Sequence, residues 1–472
     1  MADQDLAFTP ASVLREWIAS KRVSPVELTE LYLQRIERLD PQLHAYLTVT
    51  HEVAIKQARA AEEAVMAGKP LGPLHGVPLS IKDLEVTKGI RTTLGSLVFK
   101  DTVPEVDSIV VERVRQAGAV ILGKTNTPEF GLRGTTENRL GEACRNPWQP
   151  ACTAGGSSGG AAAAVAAGLC ALATGSDGGG SIRIPASFCG IYGLKPTQGR
   201  VPRYGGLGRP VVAQFSQSGP MARTVRDAAL LLQVLAGPDP RDVSCLRQPP
   251  PDFLAALEGG VRGLRLGWSP DLGYAAVDPE VAQVAQQAAQ VFAELGAQVD
   301  AVDVRLEEPF TPFWTIFSTN AYASYGHLLA EKGELLTSYA RDALEFGARV
   351  SGADYARALL AVEQLRAQFA TLMQTYDLLL TPTTAVPAFP VEQPPATIAG
   401  RQVNPLWGYL PFTFPVNMAG HPAASLPCGF SARGLPIGLH LIGRWGDEAT
   451  VLRASAAFEA ARPWAGQRPP LS

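Results

Sequence analysis

Residues 153–183 read TAGGSSGGAAAAVAAGLCALATGSDGGGSIR: two serine-bearing glycine clusters flank an alanine-rich run that carries no charge. Glycine loses more backbone freedom on folding than any other residue, so a cluster of it marks a tight turn or a close approach. Two such clusters, each with serine, are expected to meet in space and frame one site around Ser181. The run between them reads as a helix followed by a strand, with Gly168 at the joint.

The rest of the chain repeats that rhythm. SPVELTELYLQRIERL opens with Ser24, Pro25 and Glu27, a helix-start signature, and residues 51–67 read as a second helix. GVPLSIKD alternates Val77, Leu79 and Ile81 as a short strand, with Lys82 expected just past its end. SIVVERVRQAG and AVILGKTN form a helix–strand pair, and residues 263–304 give strand, helix, strand. DYARALLAVEQLRAQFATLMQTY is a long helix leading into DLLLTP, and two strands and a helix close the chain. Alternating elements of this kind predict an α/β fold: a single large domain over residues 1–472, with a central mixed twisted sheet covered by helices on both faces.

Composition narrows the function. Apolar residues make up 46% and charged residues 18%, enough to build a large core. The net charge of −3 lacks the dense basic footprint of a nucleic-acid surface. The six cysteines show no metal-site spacing, and the longest apolar stretch, Ala161–Ala173, is too short to span a bilayer. The expectation is a cytoplasmic protein, monomer or homodimer, with no metal, no cofactor, no membrane and no nucleic-acid partner.

GGSSG at 155–159 matches the nucleophile elbow G-x-S-x-G, but that elbow needs a strand before it, and NPWQPACTA cannot be a central strand. Phosphate-loop and dinucleotide-loop readings fail on missing residues or spacing. What remains is Gly178, Gly179, Gly180 and Ser181, whose successive N–H groups can converge on a developing oxyanion beside the serine hydroxyl. None of the six histidines sits in a catalytic context. A buried, neutral lysine can serve as the base, and Lys82 is the best candidate.

These segments together resemble the amidase-signature family: GVPLSIKD, GKTNTPEF, NPWQPACTAGGSSGGAAAAVAAG, TGSDGGGSIRIPASFCGIYGLKPTQGRV and GPMARTVRDAALLL, with weaker likeness in LLLTPTTAVPAF, FTFPVNMAGHPAASLPCG and GLPIGLHLIG. The likeness is strongest over residues 70–235. It implies the amidase-signature fold and a Ser–Ser–Lys triad: Ser181 as nucleophile, Ser157 as bridging serine after a cis Gly156–Ser157 bond, and Lys82 as base. It implies a hydrolase of amide C–N bonds through an acyl-enzyme, with carbamates and aryl esters within the same chemistry and a small-molecule substrate. Family members often carry a larger residue where this chain has Gly178, so the glycine makes the loop more mobile or leaves room for a bulkier acyl group.

Bland readings stand beside these. Ser158 is either the cap of the following helix or a second donor at the site. Asp177 and Arg183 bracket Ser181 and read first as a structural ion pair. Cys144 and Cys152 lack a basic partner. Trp314, Phe317, Trp407 and Phe412 line a substrate pocket or belong to the core. Residues 203–218 form a lid or an ordinary loop. The pocket is expected from variable segments at 130–150, 203–218, 305–350 and 400–415. Two other functions remain: the A chain of a glutamine-dependent tRNA amidotransferase, whose usual Asp-containing segment here reads QFSQSGP, and a catalytically silent binding protein.

Overall fold

Eleven strands form one mixed sheet in a computed structural model that describes residues 3–204 and 214–471. In chain order the strands are β1 (Tyr46–Val49), β2 (Pro78–Lys82), β3 (Val120–Thr125), β4 (Leu172–Asp177), β5 (Tyr192–Lys195), β6 (Gln217–Ala222), β7 (Arg265–Trp268), β8 (Gln298–Ala301) and β9 (Leu378–Pro382). A separate hairpin, β10 (Thr397–Ile398) and β11 (Arg401–Gln402), precedes β12 (Ala423–Phe430) and β13 (Pro436–Gly443). The spatial order is β1-β3-β2-β4-β6-β5-β12-β13-β9-β7-β8. Strands β3, β2 and β4 run parallel, as do β9, β7 and β8, while the middle of the sheet is antiparallel. The single-domain α/β architecture is the one expected.

Local chemistry explains the elements. Ser24 caps the helix Pro25–Leu43 by accepting from the N–H groups of Val26 and Glu27 at 3.0 and 3.3 Å. The Ser24 hydroxyl proton goes to Glu62 on the next helix, which ties the two helices together. The alanine run folds as Gly159–Ala166, and all of it is buried. A helix apolar on every side belongs in the middle of a protein, where it can pack all round. It sits so close to its neighbours that a Cβ on Gly160 would lie 2.3 Å from the Asn126 nitrogen. The cluster therefore marks a close approach, and it docks the helix start against the end of β3.

The main core runs along the sheet from Leu79 and Ile121 to Leu266, Leu380 and Leu439. A second core, rich in aromatic side chains, gathers Phe313, Phe369, Trp407, Tyr409 and Phe412 with Leu379, Ala423 and Ile442, which alternate along β9, β12 and β13 with main-core residues. Because β2 and β4 are parallel, Lys82 and Asp177 end their strands at the same edge. Lys82 is the last residue of β2 rather than the first residue beyond it, since its N–H still bonds to Thr174 Oγ1 on β4 at 3.2 Å. No helix among the described residues is long and apolar enough to cross a membrane.

Candidate active site

The lysine at the end of β2 is fully buried. Its Nζ lies 2.7 Å from Ser157 Oγ, 2.8 Å from Ser158 Oγ and 3.2 Å from the Ser176 carbonyl oxygen. Burial drives the Lys82 pKa down from 10.5 to about 7, against the pull of Asp177 and Glu85, with Arg203 adding to the fall. The turn that follows is pinned by a buried ion pair, Lys124 to Asp83 at 3.1 Å, and Lys124 also donates to the Glu85 carbonyl at 2.8 Å. This turn leaves the lysine little freedom to withdraw.

Ser157 follows a cis peptide bond from Gly156. Ser158 stands at the start of the alanine helix but makes no capping bond with its side chain. Its hydroxyl instead accepts from Lys82 and from the Ser176 N–H at 3.3 Å, and points its proton at the Ser176 carbonyl at 3.3 Å. The helix-cap reading of Ser158 gives way because the lysine reaches the hydroxyl first. The Ser158 N–H bonds to the Ser181 carbonyl oxygen at 3.1 Å, which joins the two glycine–serine clusters directly.

Asp177 and Arg183 are fully buried and paired through both carboxylate oxygens: Arg183 Nε donates to Asp177 Oδ2 at 2.9 Å and Nη2 to Oδ1 at 3.0 Å. Burial alone would raise the Asp177 pKa, but the Arg183 guanidinium, aided by Lys195 and Asn417, holds it well below the usual carboxylate range. Asn417 and His440 complete the surround: Asn417 Nδ2 donates to Asp177 Oδ1 at 2.8 Å, and His440 Nε2 lies 2.9 Å from Arg183 Nη1. The same carboxylate accepts from the Gly180 N–H at 2.7 Å and the Ile182 N–H at 3.1 Å. This corrects one expectation: the Gly180 N–H is committed to Asp177 and is not an oxyanion donor. Gly178, Gly179 and Ser181 face the cavity, and among the described residues no acceptor takes their N–H groups.

A cavity of about 610 Å³ opens onto Ser157, Ser181, Gly178 and Gly179. Its wall takes Phe317 and Trp407 of the four aromatic residues expected there, but not Trp314 or Phe412. Trp314 packs behind the wall, with ring centres 6.1 Å from Phe317 and 5.9 Å from Trp407. Phe412 is fully buried in the aromatic core. Each segment expected to vary reaches the cavity: Phe130, Gly131 and Leu132; Arg203 and Ser216; Phe317 and Tyr325; Trp407. Of the candidate lid 203–218, residues 205–213 lie outside the described residues; Gln214, Phe215, Ser216 and Ser218 line the cavity. Sequence reasoning missed Leu84 and Glu85, which follow Lys82 by one turn; that adjacency was the available signal. The cysteines stay apart from the chemistry: burial pushes the Cys144 thiol well above its ordinary pKa.

A family model described as Amidase matches residues 27–452. An acylamidase of Rhodococcus erythropolis is 40% identical over 99% of this chain and 98% of its own. The A chain of the glutamyl-tRNA(Gln) amidotransferase of Moorella thermoacetica is also 40% identical, over 99% of each sequence. Among solved structures, a bacterial aryl acylamidase of the amidase-signature enzymes superposes with a TM-score of 0.91 at 36% identity, covering 97% of both chains.

Proposed function

This chain belongs to the Amidase family and hydrolyses the C–N bonds of amides, and we propose that it does so as a stand-alone serine hydrolase with Ser181 as nucleophile, Ser157 as proton relay and Lys82 as base. The observation that carries this is a fully buried lysine within 2.7 Å of a serine hydroxyl that shares a cavity with Ser181.

The bonding around Nζ supports the neutral form. An uncharged amine has two hydrogens and one lone pair. The Ser176 carbonyl can only accept, and the Ser158 hydroxyl already directs its proton to that carbonyl. These two take the amine hydrogens, so the lone pair faces the Ser157 hydroxyl. A proton then passes from Ser181 to Ser157 as Ser157 gives its own to Lys82. Ser181 Oγ attacks the carbonyl carbon, and charge on the carbonyl oxygen falls to the N–H groups of Gly178, Gly179 and Ser181. The relay returns the proton to the leaving nitrogen as the C–N bond breaks. Water repeats the sequence to free the acid and Ser181. Activated aryl esters and carbamates need less help from the returned proton and fit the same steps.

Similarity to the tRNA amidotransferase chain supports a second reading, hydrolysis of glutamine within a partner complex. Against it, the segment QFSQSGP, which lacks the aspartate that the resemblance implies for that chain, lines the cavity with Phe215 and Ser216. The first reading takes a small-molecule substrate, without partner proteins or nucleic acid, and the free thiols fit a reducing compartment such as the cytoplasm. The purified chain alone should cleave simple anilides and release no ammonia from glutamine. Ammonia release that requires added partner proteins would reverse the choice.

A further inference from the structure

The three glycines before Ser181 are not equivalent. Gly180 has φ +129°, and a Cβ on it would lie 2.3 Å from Thr413 Oγ1. A Cβ on Gly179 would lie 2.9 Å from the Phe313 ring and 3.1 Å from Trp407. Packing demands glycine at both. A Cβ on Gly178 would meet nothing nearer than Ser216 Cβ at 3.4 Å and Phe317 Cε2 at 3.5 Å, ordinary van der Waals contact, and its φ is not in the left-handed region. The fold therefore accepts a side chain at 178, yet the position is bare and faces the cavity.

We infer that the missing side chain at Gly178 is a substrate subsite, and that it sets a preference for a bulky apolar acyl group, aryl or branched, next to the scissile carbonyl. The inference rests on Ser181 being the nucleophile. Two groups of residues line the cavity that Ser181 faces, and they differ in chemistry. One is Ser157 with Gly131 and Leu84 beside it, and the leaving nitrogen must face this group to receive its proton. The other is Gly178 with Ser216 and Phe317 beside it, which holds no member of the relay and so takes the acyl substituent. Phe317 packs on Phe313 at 5.2 Å between ring centres and meets Trp407 edge-on at 6.0 Å. This aromatic wall matches an apolar planar or branched group.

The test compares kcat/KM for 4-nitroanilides of acetic and benzoic acid, using wild type, Gly178→Ala, Phe317→Ala and the double variant. A methyl-sized change in an apolar pocket shifts selectivity by about tenfold or more, so Gly178→Ala should lower the benzoyl-to-acetyl ratio by about that factor. Phe317→Ala alone removes the aromatic wall and should lower the ratio, whereas in the Gly178→Ala background it frees the space that the new methyl takes beside Phe317, so the two losses should be less than additive. Enlarging the amine at constant acetyl, from anilide to naphthylamide, should change kcat/KM by the same factor in Gly178→Ala as in wild type, whatever their absolute rates. An unchanged acyl ratio, an equal fall on all substrates, or a Gly178→Ala protein that does not fold would each overturn the inference. Ser181→Ala separates the two layers. If it abolishes turnover while Gly178→Ala leaves the ratio alone, the hydrolase reading stands and the subsite falls. If it retains turnover, the reading itself falls.

Discussion

With a Lys82 pKa of about 7, kcat/KM on a neutral anilide should rise about tenfold between pH 6 and pH 8, because the neutral fraction climbs from about 9% to about 91%. The profile should then flatten. A lysine at its ordinary 10.5 would instead give about a hundredfold rise over the same span and keep climbing past pH 9. The drop from 10.5 to about 7 corresponds to roughly 5 kcal/mol of differential interaction between the charged and neutral forms. Two other groups, the buried Lys195 and the partly buried Glu459, also come to about 7, so the profile alone does not identify the residue. A charge variant does. Glu85 raises the Lys82 pKa and is not among the groups that act on Lys195 or Glu459. Glu85→Gln removes that pull while preserving shape, so the acid limb must move to lower pH. The assay is initial rates with an anilide far below KM, at constant ionic strength, from pH 5.5 to 10. An acid limb in the same place in both proteins would refute the assignment of the titration to Lys82, as would a profile that is flat throughout.

Lys82→Ala should abolish anilide turnover but spare a measurable part of 4-nitrophenyl ester hydrolysis, because a nitrophenolate leaves without a proton; equal losses on the two, compared through kcat/KM, would remove the lysine's acid role. Ser158→Ala takes one of three partners from Nζ while Ser157 and Ser176 remain; kcat should fall on the order of tenfold, with thermal unfolding moved by only about 1 kcal/mol. Arg183→Leu strands Asp177 without its buried partner and should cost about 3–5 kcal/mol, read as a lower denaturation midpoint in urea.

The residues of the proposed triad were legible as candidates because their signals are local: Ser157 and Ser181 sit in glycine clusters, and Lys82 ends an apolar strand. What the sequence hid was set by side chains that fold back from elsewhere. Gly180 looks like one of three identical N–H donors, and only the Asp177 carboxylate turning back onto it removes it from the set. Ser158 has the composition of a helix cap, but Lys82 arrives from β2 and takes the hydroxyl. Phe412 and Phe317 are both aromatic residues in expected pocket segments, and only packing decides that one is sealed in the core while the other meets the cavity. The helix Phe310–Tyr325 escaped notice because it is rich in aromatic and β-branched residues and starts at Pro309 without a side-chain cap. It is held by its aromatic contacts with Trp407 and Phe414 rather than by intrinsic propensity. The alternation of elements implied a mixed sheet, but not that β6 would lie between β4 and β5; that order depends on pairings between distant segments.

The most direct measurement is the mass of the protein after brief reaction with a slowly released acyl donor such as a 4-nitrophenyl carbamate, followed by peptide mapping. One carbamoyl group per chain should appear, on the peptide holding Ser181, and its formation should slow below pH 7 as Lys82 gains a proton. A label on another residue, or full activity in a protein whose Ser181 is blocked, would contradict the account.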